Sequence, residues 1–149
     1  MERETYNLVK EYYSKREFDE AYKLLWQLAN DGDSEAMFEF AVLYEFAYTN
    51  REKAAEWYKK AIDAGFAKAM YNLGLLYEFE KKYDESKCWY EQAANTLNTS
   101  AMLRLGIIYR NYEPRDPQKA LEWFTRAYEL GNADAALNIA QMYEEGVIH

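Results

Sequence analysis

A tyrosine recurs along this chain every 32 to 34 residues, and each one ends the same short pattern of apolar and small residues. A large apolar residue stands four positions before it, and in most copies a small residue stands three positions before it. Offsets of three and four place residues on one face of an α-helix. The recurring positions are Tyr12, Tyr44, Tyr77, Tyr109 and Tyr143. A period of this length predicts a stack of repeated units rather than a single helical bundle.

A second helical pattern follows most copies of the first, and it carries a tryptophan next to another ring. The three pairs are Trp57 with Tyr58, Trp89 with Tyr90, and Trp123 with Phe124. Because the tryptophans recur in register, we expect them to pack in the core between helices. Glycine usually closes this pattern, as it ends many helices in the left-handed conformation. The closing residues are Gly32, Gly65, Leu97 and Gly131.

Three single residues inside these patterns have a structural interpretation. Gly74 and Gly106 lie within the first helices, where glycine is less favourable than alanine by about 1 kcal/mol. We therefore expect another helix to approach closely at both positions. Cys88 is the sole cysteine, and we expect it to be a buried or neutral thiol because no acid or base stands beside it in the sequence.

The two patterns together resemble SEL1-like repeats, a branch of the tetratricopeptide-like solenoids. The resemblance is carried by Lys53–Gly65 and Lys119–Gly131 (Lys-Ala-x-x-Trp-Tyr/Phe-x-x-Ala, then Gly) and by Ala69–Tyr77 and Ala101–Tyr109 (Ala-x-x-x-Leu-Gly-x-x-Tyr). It implies an all-α, right-handed α-solenoid of about four and a half helix-turn-helix repeats. The chain departs from the family in the short loop within each repeat, since only nine positions separate Tyr77 from Ser86.

The register also predicts the boundaries of the repeats and helices within a single domain, residues 1–149. The repeats fall at about 1–33, 34–66, 67–98 and 99–132, followed by a capping helix over 133–149. The expected helices are about Glu4–Ser14, Asp19–Asn30, Ser34–Phe46, Arg51–Ala64, Ala67–Phe79, Tyr83–Thr96, Ser100–Asn111, Pro117–Leu130 and Ala133–Glu144. The last helix is either this cap or the point where a longer array was cut, and the polar outer surface that Asn138, Gln141, Glu144 and Glu145 give it favours a cap.

Composition limits the partners and the compartment. A formal net charge of −8 argues against binding nucleic acid or anionic membrane surfaces, which require basic patches. No apolar run is long enough for a membrane span, and no apolar segment follows the charged residues after Met1. We expect a cytoplasmic protein that is a monomer or weak homo-oligomer, with a removed leader as the open alternative.

The main candidate site is a stripe of apolar residues on the first helices. The resemblance implies that these helices line the concave side of the solenoid. The proposed partner-binding residues are Tyr6, Phe38, Val42, Phe46, Tyr71, Leu75, Phe79, Leu103 and Ile107. Contiguous exposed apolar residues are typical of a binding groove, although some of these residues could instead pack under the neighbouring repeat. Carboxylates such as Glu45 and Glu78 would border the stripe, either as an acidic edge or as a solvated rim.

The stripe predicts a non-enzymatic adaptor or scaffold that binds a peptide or helix, basic or amphipathic in character. We expect no cofactor, no metal site and no catalytic residues, because the single histidine is the last residue and no nucleophile or phosphate-binding motif is present. The alternative function is a bacterial immunity or inhibitor protein that neutralises a toxin or effector. An enzyme is the third hypothesis, with only a loose analogy to support it.

Overall fold

The computed structural model describes residues 1–148, and that part of the chain folds into nine α-helices without a β-strand. Their bounds are α1 Arg3–Ser14, α2 Phe18–Asn30, α3 Ser34–Phe46, α4 Arg51–Asp63, α5 Lys68–Phe79, α6 Tyr83–Ala94, α7 Thr99–Asn111, α8 Pro117–Glu129 and α9 Ala133–Glu144. Each observed end lies within two residues of the predicted one. The odd-numbered helices are the first helices of the repeats and the even-numbered ones the second.

Local side-chain chemistry explains where these helices begin. The side chain of Asp33 accepts a 2.9 Å hydrogen bond from the backbone N–H of Ala36, which caps α3. The same kind of cap begins four other helices, through Asn50, Asn98, Asp116 and Asn132. Such a cap stabilises a helix by about 1 kcal/mol, since it satisfies an N–H that has no partner within the helix.

The turns that end the second helices require a left-handed backbone. Gly32, Gly65 and Gly131 have φ angles of 97°, 96° and 96°. Leu97 occupies the equivalent place with a φ of 63°, in a region that is unfavourable for a residue with a side chain. The sequence register had placed this leucine where the other repeats have glycine, and the backbone confirms that equivalence.

The described chain divides into two compact units, with the boundary inside α5. The first unit comprises Met1–Leu73, and the second begins at Gly74. In the first unit, buried residues of α1, α2 and α3 form one core. Its largest members are Val9, Leu25, Phe40 and Leu43, each at most 2% exposed. A single domain over the whole chain stays a prediction.

The aromatic residue after each tryptophan, not the tryptophan itself, occupies the core. Tyr58, Tyr90 and Phe124 are fully buried, whereas Trp57 and its two equivalents are half-buried. The tryptophans are therefore less buried than the core position that was predicted for them, and Trp57 packs against the core rather than within it. The indole of Trp57 meets the ring of Phe40 edge-on, with 4.9 Å between the ring centroids. On the same indole, the ammonium of Lys60 lies 3.9 Å from the ring centroid. Trp57 covers the margin of the helix interface and keeps contact with solvent.

The close approach predicted at the helical glycines is confirmed. A Cβ atom on Gly74 would lie 2.5 Å from ring carbons of Tyr90, and one on Gly106 would lie 2.4 Å from Phe124. Both distances are far below a normal van der Waals contact. The ring of the second helix therefore rests directly on the backbone of the first helix.

The structure also bears on the expectations for Cys88 and for the last helix. Cys88 is exposed, which rules out the buried one of the two expected forms of its thiol. The outer surface of α9 exposes Gln141, Glu144 and Glu145 together with Leu137 and Tyr143, which are 61% and 52% exposed, and its role as a cap stays a prediction. Within residues 1–148, no helix combines the length and the apolar character needed to cross a membrane.

Candidate functional site

The predicted stripe residues differ widely in exposure. In the first unit, Tyr6, Val42 and Tyr71 are half-buried, Phe46 is 71% exposed and Phe38 is only 6% exposed. In the second unit, Phe79 is 70% exposed. The remaining members, which are half-buried, are Leu75, Leu103 and Ile107. The two strongly exposed phenylalanines are repeat equivalents, since each stands two residues after its aligned tyrosine.

Phe38 does not present its ring to a partner, which corrects the sequence-based expectation for this residue. Its ring lies 5.1 Å from that of Phe66 and 5.7 Å from that of Tyr58, measured between centroids. The ammonium of Lys68 lies 5.6 Å from the Phe38 ring. Phe66 belongs to the turn after α4, so a residue outside the helical register covers this position.

Phe46 stands at the mouth of an apolar cleft in the first unit, which we call the Phe46 cleft. It has a volume of about 230 Å³. The ends of α1 and α3 and the start of α2 form its walls. The lining residues are Tyr13, Phe18, Val42, Leu43, Phe46 and Ala47. This volume is below the range of about 300–1,000 Å³ that is typical of pockets for small-molecule ligands, so the cleft suits one large apolar side chain.

Polar contacts hold the wall of the Phe46 cleft in place. The hydroxyl of Tyr13 donates a 3.1 Å hydrogen bond to the backbone carbonyl of Glu39, and Lys10 donates to both carboxylate oxygens of Glu39 at 3.1 Å. Glu39 is 4% exposed, so this ion pair replaces the water that its carboxylate has lost. Burial raises the pKa of Tyr13 far above that of a free phenol, and the nearby Glu39 charge adds to the shift. Tyr13 is therefore a neutral donor at any ordinary pH.

The predicted acidic edge is largely occupied by contacts within the protein. Glu45 accepts a 2.7 Å hydrogen bond from the hydroxyl of Tyr58. Burial raises the pKa of Glu45 above that of a free glutamate, and the bond from Tyr58 offsets part of that shift. Glu78 binds Arg104 through Nη2 at 2.6 Å and Nε at 3.0 Å, and it accepts a 2.6 Å bond from Tyr90. These two carboxylates are structural, and neither is a solvated rim residue.

Sequence analysis missed a set of polar contacts between successive first helices, which we call the inter-repeat contacts. In each, a residue five positions before one aligned tyrosine contacts the preceding repeat. The pairs are Lys10 with Glu39, Arg104 with Glu78, and Asn138 with Arg110, the last at 3.4 Å. A search for complementary polar residues at this fixed offset would have found them. In residues 1–148 no cluster of histidine, cysteine and carboxylate side chains could hold a metal ion.

Comparison with known families identifies the repeat. The sequence profile of the Sel1 repeat matches residues 34–66, 67–95, 99–132 and 133–148. The helical pair at 1–33 lies outside the match. Among curated proteins, no sequence matches this chain.

Several solved structures share the fold. A Sel1 repeat protein from Oxalobacter formigenes is 30% identical over 93% of this chain, with a TM-score of 0.73, and the match covers 61% of that protein. A protective antigen of uropathogenic Escherichia coli is 27% identical over 85% of this chain, with a TM-score of 0.70. This chain spans only 29% of that antigen. The Pseudomonas aeruginosa protein PilF, at 22% identity and a TM-score of 0.74, is alike in fold alone.

Proposed function

This chain belongs to the Sel1 repeat family, with an all-α solenoid fold, and we propose that it is a non-enzymatic adaptor or scaffold that binds a segment of another protein. Sel1-like repeats generally mediate contacts between proteins. The proposed binding residues are those of the stripe that remain accessible, without Phe38. They are Tyr6, Val42, Phe46 and Tyr71 in the first unit, and Leu75, Phe79, Leu103 and Ile107 in the second.

The observation that carries this proposal is the exposure of Phe46 beside an apolar cleft. A phenylalanine that is 71% exposed leaves most of its apolar surface in water, and it does so next to a cleft lined by other apolar side chains. Exposed apolar surface of this kind is typical of protein-binding sites. Aromatic anchors that enter a pocket provide much of the affinity in such interfaces.

A capture experiment with three surface variants tests the proposed function. The full chain is immobilised, incubated with a lysate of its source cells and cross-linked, and the captured proteins are identified by mass spectrometry. We expect at least one protein to be captured by the wild type and lost with Phe46→Glu or Phe79→Glu. Tyr128→Glu is the matched control, because Tyr128 is a 56% exposed aromatic residue outside the stripe.

The result also separates a binding role from other roles. If every captured protein is retained by both phenylalanine variants, the proposed function is wrong. Substitution of Phe38 is unsuitable here, because Phe38→Glu would bury a charge and disturb the fold. The alternative role as an inhibitor of a toxic protein stays a prediction, and rescue of cells by co-expression with the captured protein would distinguish it.

A further inference from the structure

A second depression adjoins the Phe46 cleft, and its character is different. It has a volume of about 300 Å³ and shares Phe18 with the cleft. Its lining residues are Arg16, Glu17, Phe18, Asp19, Glu20 and Tyr48. Phe18 is the first residue of α2, and it lines both an apolar hollow and a charged one. We call this neighbour the acidic depression.

The acidic depression carries more negative than positive charge. Three carboxylates face one guanidinium, that of Arg16, whose central carbon lies 5.8 Å from the centre of the Phe18 ring. Glu20 is paired with Lys23 at 3.2 Å. Asp19 accepts a neutral hydrogen bond, from the hydroxyl of Tyr48 at 3.2 Å. Glu17 and Asp19 are both exposed, so their charge is available to a cation from outside.

The end of α3 adds to this negative potential on the cleft side. Phe46 is the last residue of α3, and its final turn contains no basic side chain. The carbonyl groups at a helix C-terminus carry a partial negative charge that favours a nearby cation. The first turn of α2 has the opposite polarity and is stabilised by Asp19 and Glu20. The full negative charges of these two side chains are larger than the partial positive charge at the start of α2, so the depression keeps a net negative potential.

We propose that the Phe46 cleft and the acidic depression together bind one segment of a partner protein, with a large apolar side chain in the cleft and an adjacent lysine or arginine in the depression. This inference rests on the proposed function and gives the chemistry of its partner. The two hollows share one wall residue, so neighbouring side chains of one segment can reach both. Apolar contact provides affinity, and the basic residue provides direction and selectivity.

Selection from random peptides tests the inference without knowledge of the partner. Peptides displayed on phage are selected on the immobilised full chain, and the most enriched one is synthesised with a fluorescent label. We expect the enriched peptides to combine a leucine, methionine or aromatic residue with a neighbouring lysine or arginine. Binding is then measured by fluorescence anisotropy at low and high salt.

Variants of the two hollows make the test specific. We expect Phe46→Ala to weaken binding of the selected peptide by about tenfold or more. The double change Glu17→Gln with Asp19→Asn should weaken it by about threefold and flatten its salt dependence, since exposed charges are screened by salt. Tyr128→Ala is the control and should leave the affinity unchanged. Circular dichroism of each variant verifies that the helices persist.

Three results would overturn this inference. They are the enrichment of acidic peptides or of none, binding that is insensitive to Phe46→Ala, and binding that does not depend on the two carboxylates. The proposed function would survive each of them if cellular capture still depended on Phe79. Failure of the proposed function itself has a different signature, in which cellular capture is unchanged by both Phe46→Glu and Phe79→Glu.

Discussion

The hydroxyl of Tyr90 donates a 2.6 Å hydrogen bond to the carboxylate of Glu78, inside the repeat that contains both. Tyr58 and Glu45 make the same bond at 2.7 Å one repeat earlier. In the fourth repeat the buried ring is Phe124, which has no hydroxyl, and the position of the carboxylate holds Arg110. The two positions therefore change together among the repeats of one chain, because a buried donor and its acceptor are useful only as a pair.

This pairing predicts how the fourth repeat responds to substitution. Phe124→Tyr alone should lower the free energy of unfolding by about 1–3 kcal/mol, because its buried O–H would lack the carboxylate acceptor that the two preceding repeats supply. Adding Arg110→Glu supplies the acceptor, so the double variant should be more stable than the sum of the two single changes predicts. Urea unfolding of the four proteins in a double-mutant cycle measures this coupling. Additive effects would contradict the pairing.

Gly106 should resist replacement even by alanine. In an exposed helix this change would stabilise the protein by about 1 kcal/mol, but here the new Cβ would lie 2.4 Å from the ring of Phe124. Overpacking of this kind costs about 1–3 kcal/mol. We expect Gly106→Ala to lower the melting temperature and Phe124→Leu to restore part of the loss in the double variant. A rise in melting temperature with Gly106→Ala alone would show that the ring can move away.

At Leu97 the opposite result is expected, since replacing this residue with glycine should stabilise the folded protein. Its φ of 63° is strained by roughly 1–2 kcal/mol for a residue with a Cβ, and its side chain is 66% exposed. Leu97→Gly should raise the free energy of unfolding by up to about 1 kcal/mol, since the greater freedom of glycine in the unfolded chain offsets part of the gain. Gly131→Ala, at the equivalent turn, is the counterpart and should destabilise. Chemical denaturation of both variants checks the two signs together.

Phe38 and Phe46 should separate stability from binding. Phe38→Ala removes a ring that is 6% exposed, and such truncations in a core cost about 3–5 kcal/mol. Phe46→Ala removes a ring that is 71% exposed, and it should change stability by about 0.5 kcal/mol or less. Thermal unfolding of the two variants, beside the peptide-binding assay, tests this division. Equal losses of stability would mean that Phe46 packs against the protein in solution.

The buried phenols predict a loss of stability in alkali. Burial raises the pKa of Tyr90 well above that of a free phenol, and its bond to Glu78 adds to the shift. Tyr90 therefore keeps its proton in the folded state, while the unfolded chain releases it above about pH 10. The stability that this phenol contributes is fully present below that pH and is lost as the pH rises towards the folded pKa, by up to about 1.4 kcal/mol per pH unit.

Tyr90→Phe provides the measurement. Its unfolding free energy should fall less steeply than that of the wild type between about pH 9 and pH 11. Tyr128→Phe, which removes an exposed phenol, serves as the control and should keep the wild-type slope. Parallel curves for the wild type and Tyr90→Phe would contradict the assignment.

Local rules account for what the sequence predicted correctly. The helices follow from apolar periodicity, from caps such as Asp33 and from closing glycines, and all of these act within a few residues. Gly74 was also interpretable, because only close packing explains a glycine inside a helix. The core register was harder to predict, because Trp89 and Tyr90 are consecutive aromatic residues that point in different directions from the helix, and only the packed structure shows which ring enters the core.

The candidate site was less predictable because it depends on contacts between distant residues. Phe38 is covered by Phe66, which lies in a turn and has no place in the helical pattern. Glu78 is neutralised by Arg104, which belongs to the next repeat. Phe46 is the last residue of α3, and within the described part of the chain its ring remains 71% exposed. Composition gives no information on any of these three outcomes.

The pairing of Glu78 with Arg104, and of Arg110 with Asn138, also determines what can be transplanted from this protein. Each pair joins two repeats, so a fragment cut at the repeat boundary would separate the partners of an ion pair or of a charged hydrogen bond. A designer who wishes to lengthen, shorten or shuffle the array should therefore cut within the first helices. Such a cut keeps both partners of each pair on the same fragment. The smallest interchangeable cassette runs from the middle of one such helix to the middle of the next.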